Sequence, residues 1–418
     1  MPILKAYKYK LKPTADQKVL INKHFGAVRW VYNKALSLKK KYYDLRKKTL
    51  SLKRLSAHFT HLKKQEQYLW LNEINAQALQ SALRQVELAY KSFFEHRTGF
   101  PRFKKKSASL HSYQNPQHVQ HKSKGSLKLP KLGLVKFEEH RALPKGTIKT
   151  CTVSRGAAGI YEISLLVESP DVLITQHAVE PERTEGIDLG ILNFAVSSDG
   201  TVIANPRSLN KKLGKLKKAQ RILSRKQKGS ANRAKQKQKV ALVHRKVAQV
   251  RKNPIHQVSH AYANKNHVST YVVEDLAIKN MLRNPKLARH ISDCGWAMFL
   301  SALSYKLQDR GKNLIIINRW LPSSKECSAC FERHSGLTLK ERMFECPSCS
   351  HEEDRDLNAA RNIRRFGLQQ HFDPVGTTGF VKSSHGSKNL VKAREPSKGP
   401  AVTQDGSKEA PVRIALAI

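Results

Sequence analysis

Three short segments of this chain each place one acid where it cannot sit cheaply. They are Gly186-Ile187-Asp188-Leu189-Gly190, Tyr271-Val272-Val273-Glu274-Asp275 and Asp354-Arg355-Asp356-Leu357-Asn358-Ala359-Ala360. The first two read as apolar β-strands and the third as the opening of a helix. An uncompensated carboxylate inside a strand is costly, so a fold that keeps one must give it a partner. Acids are also scarce, with 32 Asp and Glu against 77 Lys and Arg and a net charge of +45. Three acids at such positions on a basic scaffold are placed as ligands for divalent metal ions, and the combination points to metal-dependent cleavage of nucleic acid.

So large a positive excess predicts self-repulsion unless a polyanion shares the surface. Nucleic acid fits, because each phosphate contact releases counterions. A membrane partner is not expected, since no apolar run approaches the ~20 residues needed to span a bilayer. Met1-Pro2-Ile3-Leu4-Lys5 leads at once into alternating charge, so no signal peptide is expected. Six cysteines in 418 residues do not make a disulfide framework. The expectation is a cytoplasmic bacterial protein of two to four domains.

Residues 3–12 alternate apolar and basic, as a strand with one wet face does. Thr14 and Gln17 form a capping-box pattern that opens a helix through Val19, Leu20, Phe25 and Val28. Residues 36–64 read as helical, and Leu79, Leu83, Val86, Ala89 and Phe93 mark another helix. Gly99-Phe100-Pro101-Arg102-Phe103-Lys104 reads as an extended basic-aromatic loop. Strand-like pieces at 127–130, 134–137, 148–153 and 161–167 suggest a small β-barrel. From residue 185 three short strands with a turn at Asp199-Gly200 form a meander. No acid occurs between Asp199 and Glu274. Within that span Leu213, Leu216 and Leu223, then Val240, Val243, Val247 and Val250, step at helical spacing around Gly229-Ser230. This predicts a helical hairpin with a basic outer face. Its Lys217, Lys218, Arg221, Arg225, Lys235, Lys237, Lys239 and Arg245 are candidate nucleic-acid contacts, as are Arg102 and Lys104. A strand over 269–276, a helix over 297–307, a strand over 314–318 and a helix over 357–366 follow. Beyond residue 371 the composition predicts a disordered tail.

Paired-metal cleavage needs two divalent ions roughly 3.5–4 Å apart, and magnesium prefers oxygen ligands, so a few carboxylates from different elements suffice. Taken singly, Asp188, Glu274 and Asp356 could each end a strand or cap a helix. The order strand-Asp, strand-Glu, helix-Asp over a meander followed by β/α units is the arrangement of RNase H-like nucleases. Cys327, Cys330, Cys346 and Cys349 have the spacing C-x2-C-x15-C-x2-C of a closed structural zinc site. Cys151 and Cys294 read as buried apolar residues. His256 and His260 lack the acid of a His-Glu-x-x-His site.

These motifs together resemble one family, TnpB, the transposon-encoded RNA-guided nucleases related to type V CRISPR effectors. The resemblance runs from about residue 3 to 370. It rests on Lys10-Leu11-Lys12-Pro13-Thr14-Ala15-Asp16-Gln17, on Gly99–Lys104, on the Asp188 and Glu274 segments, on the four cysteines and on residues 354–363. Phe331 and Ser350 depart from it, because the family often has glycine after each cysteine pair. The resemblance implies an α/β multidomain fold, with boundaries as follows. A wedge-like β-barrel is discontinuous over 1–12 and 98–182, and a helical recognition domain covers 13–97. A RuvC-like nuclease domain spans 183–320 with the basic hairpin at 208–252. A zinc ribbon is inserted at 321–352, the last RuvC helix covers 353–370, and the tail is 371–418. It also implies nuclease acids at Asp188, Glu274 and Asp356, with Asp354 as a helix cap. Mg2+, in all two ions, and a structural Zn2+ would be cofactors. A guide RNA from the transposon end and target DNA would be partners, the target being read by base pairing beside a short flanking motif. Two rivals remain. A transposase joining transposon ends would use the same acids, and a nuclease-silent RNA-guided repressor would be expected to have lost one.

Overall fold

Thr14 starts the molecule's first helix as its sequence predicts. Its side chain accepts the Gln17 N–H at 3.3 Å, and Gln17 Oε1 accepts the Thr14 N–H at 3.0 Å. The structure, a computed structural model, describes residues 3–170, 174–207, 210–338 and 341–373, so the expected tail lies outside the described residues from 374 onward. The chain forms two compact units.

The first unit holds β1 (Ile3–Lys12), α1 (Ala15–Arg46), α2 (Leu52–Leu62) and α3 (Ala76–Phe94). It continues with β2 (Leu110–Asn115), β3 (Gln120–Ser123), β4 (Ser126–Leu129), β5 (Gly133–Glu138), β6 (Thr147–Gly156) and β7 (Tyr161–Ser169). The seven strands form one antiparallel sheet in the order β2-β6-β7-β1-β5-β4-β3. The sequence suggested a barrel, but the hydrogen-bonded order has two edges, β2 and β3. It also suggested separate helical and β domains. Instead Ile21, Phe25, Val28, Leu79 and Val86 share one core with Tyr9, Leu127, Val153 and Leu165. The helices pack on one another, as Trp30 does on Phe59, and on the alternating inward residues of the strands, so one core serves both.

The second unit is built on β8 (Thr184–Asp188), β9 (Asn193–Ser197), β10 (Val202–Ala204), β11 (Thr270–Glu274) and β12 (Asn313–Ile317), in the order β10-β9-β8-β11-β12. β8, β9 and β10 are the antiparallel meander, while β11 runs parallel to both β8 and β12. Between β10 and β11 lie α4 (Asn210–Ser224) and α5 (Ala231–Asn264), which form a helical hairpin. Leu216, Val240 and Val247 are among its buried apolar positions. Residues 214–246 of this hairpin belong to the first unit, whereas the sequence assigned the whole hairpin to the nuclease domain. The reason is local, since Gln238 Nε2 donates to Ala158 O and Arg245 donates to Glu162, both at the β6–β7 end.

α6 (Ile278–Met281), α7 (Ala288–Cys294) and α8 (Trp296–Gln308) join β11 to β12. The cysteine segment then carries a small hairpin, β13 (Met343–Glu345) with β14 (Glu352–Asp354), and leads into α9 (Arg355–Phe372). α9 lies directly on β8. A Cβ on Gly186 would meet Ala360 O at 2.1 Å, and one on Gly367 would meet Val272 Cγ1 at 2.4 Å. Among the described residues no helix is long and apolar enough to cross a membrane.

Candidate active site and cysteine centre

The register of the sheet decides where the acids go. β8 and β11 are parallel neighbours with Ile187 opposite Val273, so Asp188 and Glu274 end adjacent strands at the same level. Side chains two apart share a strand face. Gly186 and Val272 meet α9, so Asp188 and Glu274 point to the face that α9 covers. Asp356 stands in the first turn of α9. Asp354 caps that turn, its carboxylate accepting the N–H groups of Asp356 and Leu357 at 2.9 and 3.1 Å. Two strand ends and a helix start thus bring the three acids to one place. A negative group in a helix's first turn also meets the favourable end of its dipole.

Electrostatics report the crowding. Burial, then the negative charges of Glu274 and Asp356, push the Asp188 carboxyl up to about 8. Burial also raises Glu274, against the Ser323 hydroxyl, which donates to its Oε1. Arg355 lies 3.8 Å from Asp356 and partly offsets the charge at Asp188. On the far face of β8, buried Glu185 accepts from Lys265 Nζ at 3.0 Å, which fixes the strand from behind. Asp188 thus has two further carboxylates near it, which is unfavourable for the bare protein, although the three acids do not bring one oxygen each within 4.8 Å of one another.

The cysteines converge more tightly. The four Sγ atoms all lie within 4.8 Å of one another, the one such cluster of three or more metal-type donors among the described residues. Cys327 and Cys349 are 3.7 Å apart at sulfur, and Cys330 and Cys346 3.5 Å. A tetrahedral zinc with Zn–S of about 2.3 Å separates its thiolates by about 3.8 Å, so the quartet fits that ion. Each pair sits on a turn: Phe331 N–H reaches Cys327 O at 3.0 Å and Ser350 N–H reaches Cys346 O at 2.9 Å. Both turn residues are left-handed, with φ of 66° at Phe331 and 56° at Ser350, at the two positions where glycine was expected.

Sequence reasoning missed the links between the two sites. Asn358 and Asn362, both fully buried, donate to Glu326 O at 2.7 and 2.6 Å, and Asn362 also to Ser323 O at 2.9 Å. The i, i+4 spacing of these asparagines behind Asp356 was a readable helix-face signal. Nothing in the sequence marked Ser323.

The basic candidates divide. Lys217, Lys218, Arg221, Arg225, Lys235, Lys237 and Lys239 are exposed along the hairpin, and Arg102 is exposed on its loop. Arg245 is instead half-buried against Glu162 at 2.8 Å. Lys104 is exposed but partnered, its ammonium 2.7 Å from Gln85 Oε1 and 4.2 Å from the Tyr32 ring centroid. Those two are engaged within the protein. His260 bonds Asn264 at 2.8 Å.

Residues 163–285 match the family profile described as "Probable transposase" (OrfB of IS605), and residues 296–363 match "Cas12f1-like, TNB domain". Residues 1–48 match a profile described as "Helix-turn-helix domain", although the described part of that span is β1 and the single helix α1. A protein of Streptomyces pristinaespiralis named "Putative RNA-guided DNA endonuclease" is 37% identical over 401 residues, covering 96% of this chain and 98% of that protein. InsQ of Escherichia coli (strain K12), with the same description, is 32% identical over 384 residues, covering 88% of this chain and 93% of that one. A Cas12f1–sgRNA–target DNA complex superposes with a TM-score of 0.49 at 16% identity, over 87% of this chain and 99% of that one. At this identity and coverage, the chain belongs to the TnpB family.

Proposed function

We propose that this protein is an RNA-guided DNA endonuclease that hydrolyses phosphodiester bonds at Asp188, Glu274 and Asp356. The observation that carries the reading is the meeting of two strand-end acids with one at the start of α9, in a chain otherwise rich in exposed cations. The strand order β10-β9-β8-β11-β12 supports an RNase H-like (RuvC) fold for the second unit. The relatives' printed description supports guide RNA and target DNA as the partners.

Two magnesium ions held by the three carboxylates would supply an activated water and steady the leaving oxygen. The chain's own residues do the rest. β8 and β11 fix Asp188 and Glu274 at one level, Ser323 holds the Glu274 carboxylate by one oxygen, and the Asp354 cap orients the first turn of α9. Zinc held by the four cysteines would leave no open coordination position and would serve to fold the segment that follows Ser323 and docks α9. Those seven hairpin cations, with Arg102, are the surface for the guide and the guide–target duplex, read by backbone geometry more than by sequence.

The test is direct. The gene is expressed with its downstream DNA, the co-purifying RNA is sequenced and retargeted, and the complex is challenged with plasmids flanked by a randomised motif. Cutting that needs magnesium, guide match and one motif is the expected result. Guide-dependent binding without cutting would make the protein a repressor. The profile described as a transposase keeps one alternative in view, and joining of transposon ends without guide RNA would establish it.

A further inference from the structure

The loop between β12 and the first cysteine pair leaves from and returns to one carboxylate. Ile317, the last residue of β12, is the ladder partner of Glu274, and its carbonyl accepts the Asp275 N–H at 3.0 Å. Ser323, whose side chain is buried, then donates its hydroxyl to Glu274. Trp320 is three residues from either anchor, so its Cα lies within roughly 11 Å of each.

This loop is stiff. Asn318 accepts the Trp320 N–H on its side chain at 3.1 Å and the Leu321 N–H on its carbonyl at 3.2 Å, closing a turn with Arg319 and Trp320 at the corner. Arg319 is ion-paired to Asp275. Leu321 packs into the Val272, Ile317, Ile363 and Phe366 cluster under α9, and Pro322 fixes one further backbone angle. An inward leucine therefore holds the turn while the indole of Trp320 stands 83% exposed, the most exposed large apolar side chain among the described residues.

A rigid indole in water calls for a flat partner. Its exposed neighbours Asn318, Arg319, Ser324 and Lys325 are polar or cationic. An apolar protein surface docking here would have to desolvate Lys325 and the Arg319–Asp275 pair, whereas a base linked to phosphates would be attracted by Lys325. Stacking on an aromatic side chain also suits any sequence, because every base has a π-face. We propose that Trp320 is a stacking subsite for an unpaired nucleobase of the DNA strand entering the site, holding that strand in register with Asp188, Glu274 and Asp356. The inference rests on the endonuclease reading.

The guide-loaded protein, Trp320→Ala and Trp320→Phe are compared on matched DNA with magnesium. In an Asp188→Ala background, 2-aminopurine is stepped along the strand to be cut. Trp320→Ala should lower kcat/KM about 5- to 150-fold, with Trp320→Phe within about threefold of wild type and the melting temperature and RNA content unchanged. Quenching of 2-aminopurine at one or two positions should vanish when Trp320→Ala is added. Wild-type cutting by Trp320→Ala, an equal loss in Trp320→Phe, or quenching independent of Trp320 would overturn the subsite. If wild type does not cut yet the Trp320-dependent quenching persists, the endonuclease reading fails and the subsite stands.

Discussion

The cysteine quartet and the acid trio are both sets of metal-type donors, built in opposite ways. The cysteines span residues 327–349 and are placed by two tight turns, with every sulfur within 4.8 Å of the others. The acids come from residues 188, 274 and 356, and only a paired sheet with a helix across it brings them together. The quartet can therefore be assembled by a short segment and an ion. The trio exists only when the whole second unit has folded, and its charges work against it until something neutralises them. A closed site of this kind stabilises structure, whereas carboxyls perturbed by burial and by one another are a common mark of a functional site.

The sharpest way to break this contrast is to remove one acid. Asp188→Ala should lower cleavage at least about 10³-fold, with guide and target binding within about twofold of wild type, measured by cleavage and binding assays on one preparation. Residual cutting near the wild-type rate would dissolve the assignment. The same residue carries a pH signature without metal. The folded carboxyl is raised from 3.8 to about 8, so between those values the folded state holds a proton that the unfolded state has released. Metal-free wild type must then lose stability as pH rises from about 4 to about 8. Metal-free Asp188→Asn, which cannot ionise, should melt a few degrees above wild type at pH 8 and level with it near pH 4. A difference that grows in the opposite direction would mean that Asp188 is not crowded by its neighbours.

Breaking the quartet should affect stability first and chemistry second. Cys327→Ser with Cys330→Ser should remove one zinc per chain and cost several kcal/mol. Cleavage should fall with it, because Glu326 O and Ser323 O are the acceptors that hold Asn358 and Asn362 of α9. Metal analysis, thermal melts and cleavage on the same sample check this, and a zinc-free variant with wild-type melting and cutting would separate the two sites. Gly186→Ala tests the other side of α9. Its Cβ would lie 2.1 Å from Ala360 O and 2.6 Å from Arg364 N, backbone atoms that no rotamer can move. The cost is about 1–3 kcal/mol, and lifting α9 by ~1 Å would cut activity about 10²-fold while zinc content stays at one.

How legible each site was follows the same division. The cysteine spacing and the Thr14–Gln17 capping box are local patterns, and a sequence states local patterns outright. The acids were legible because scarcity in a basic chain made each one conspicuous. Their shared face was not, since it depends on Ile187 pairing with Val273 and on the missing Cβ of Gly186. Arg245 looked like one more hairpin cation because its partner, Glu162, lies 83 residues earlier. Lys104 looked like a free loop cation, but Asn33 clamps its backbone at 2.8 and 3.0 Å and its ammonium bonds Gln85 on α3. Helices α1–α3 looked like a separate domain because sequence periodicity shows an apolar face without showing what covers it.

The smallest effect lies at the two left-handed turn residues, and it distinguishes them. Ser350 at φ 56° is exposed, so Ser350→Gly should relieve strain and tighten the cysteine centre by roughly 0.5–1 kcal/mol. That is up to about fivefold in apparent zinc affinity. Phe331 has the same backbone, with φ 66°, but its ring lies 4.3 Å from the Arg365 guanidinium, which is ion-paired to Glu326. Phe331→Gly would gain the same relief and lose a cation–π contact of about 0.5–1 kcal/mol, leaving zinc affinity nearly level. Competitive zinc titration of both variants reads the difference. Equal gains would mean that Phe331 contributes nothing to α9. A larger loss at Phe331 would mean that the quartet, through Arg365, helps position the helix that carries Asp356, and the two sites would be more tightly joined than their separate construction implies.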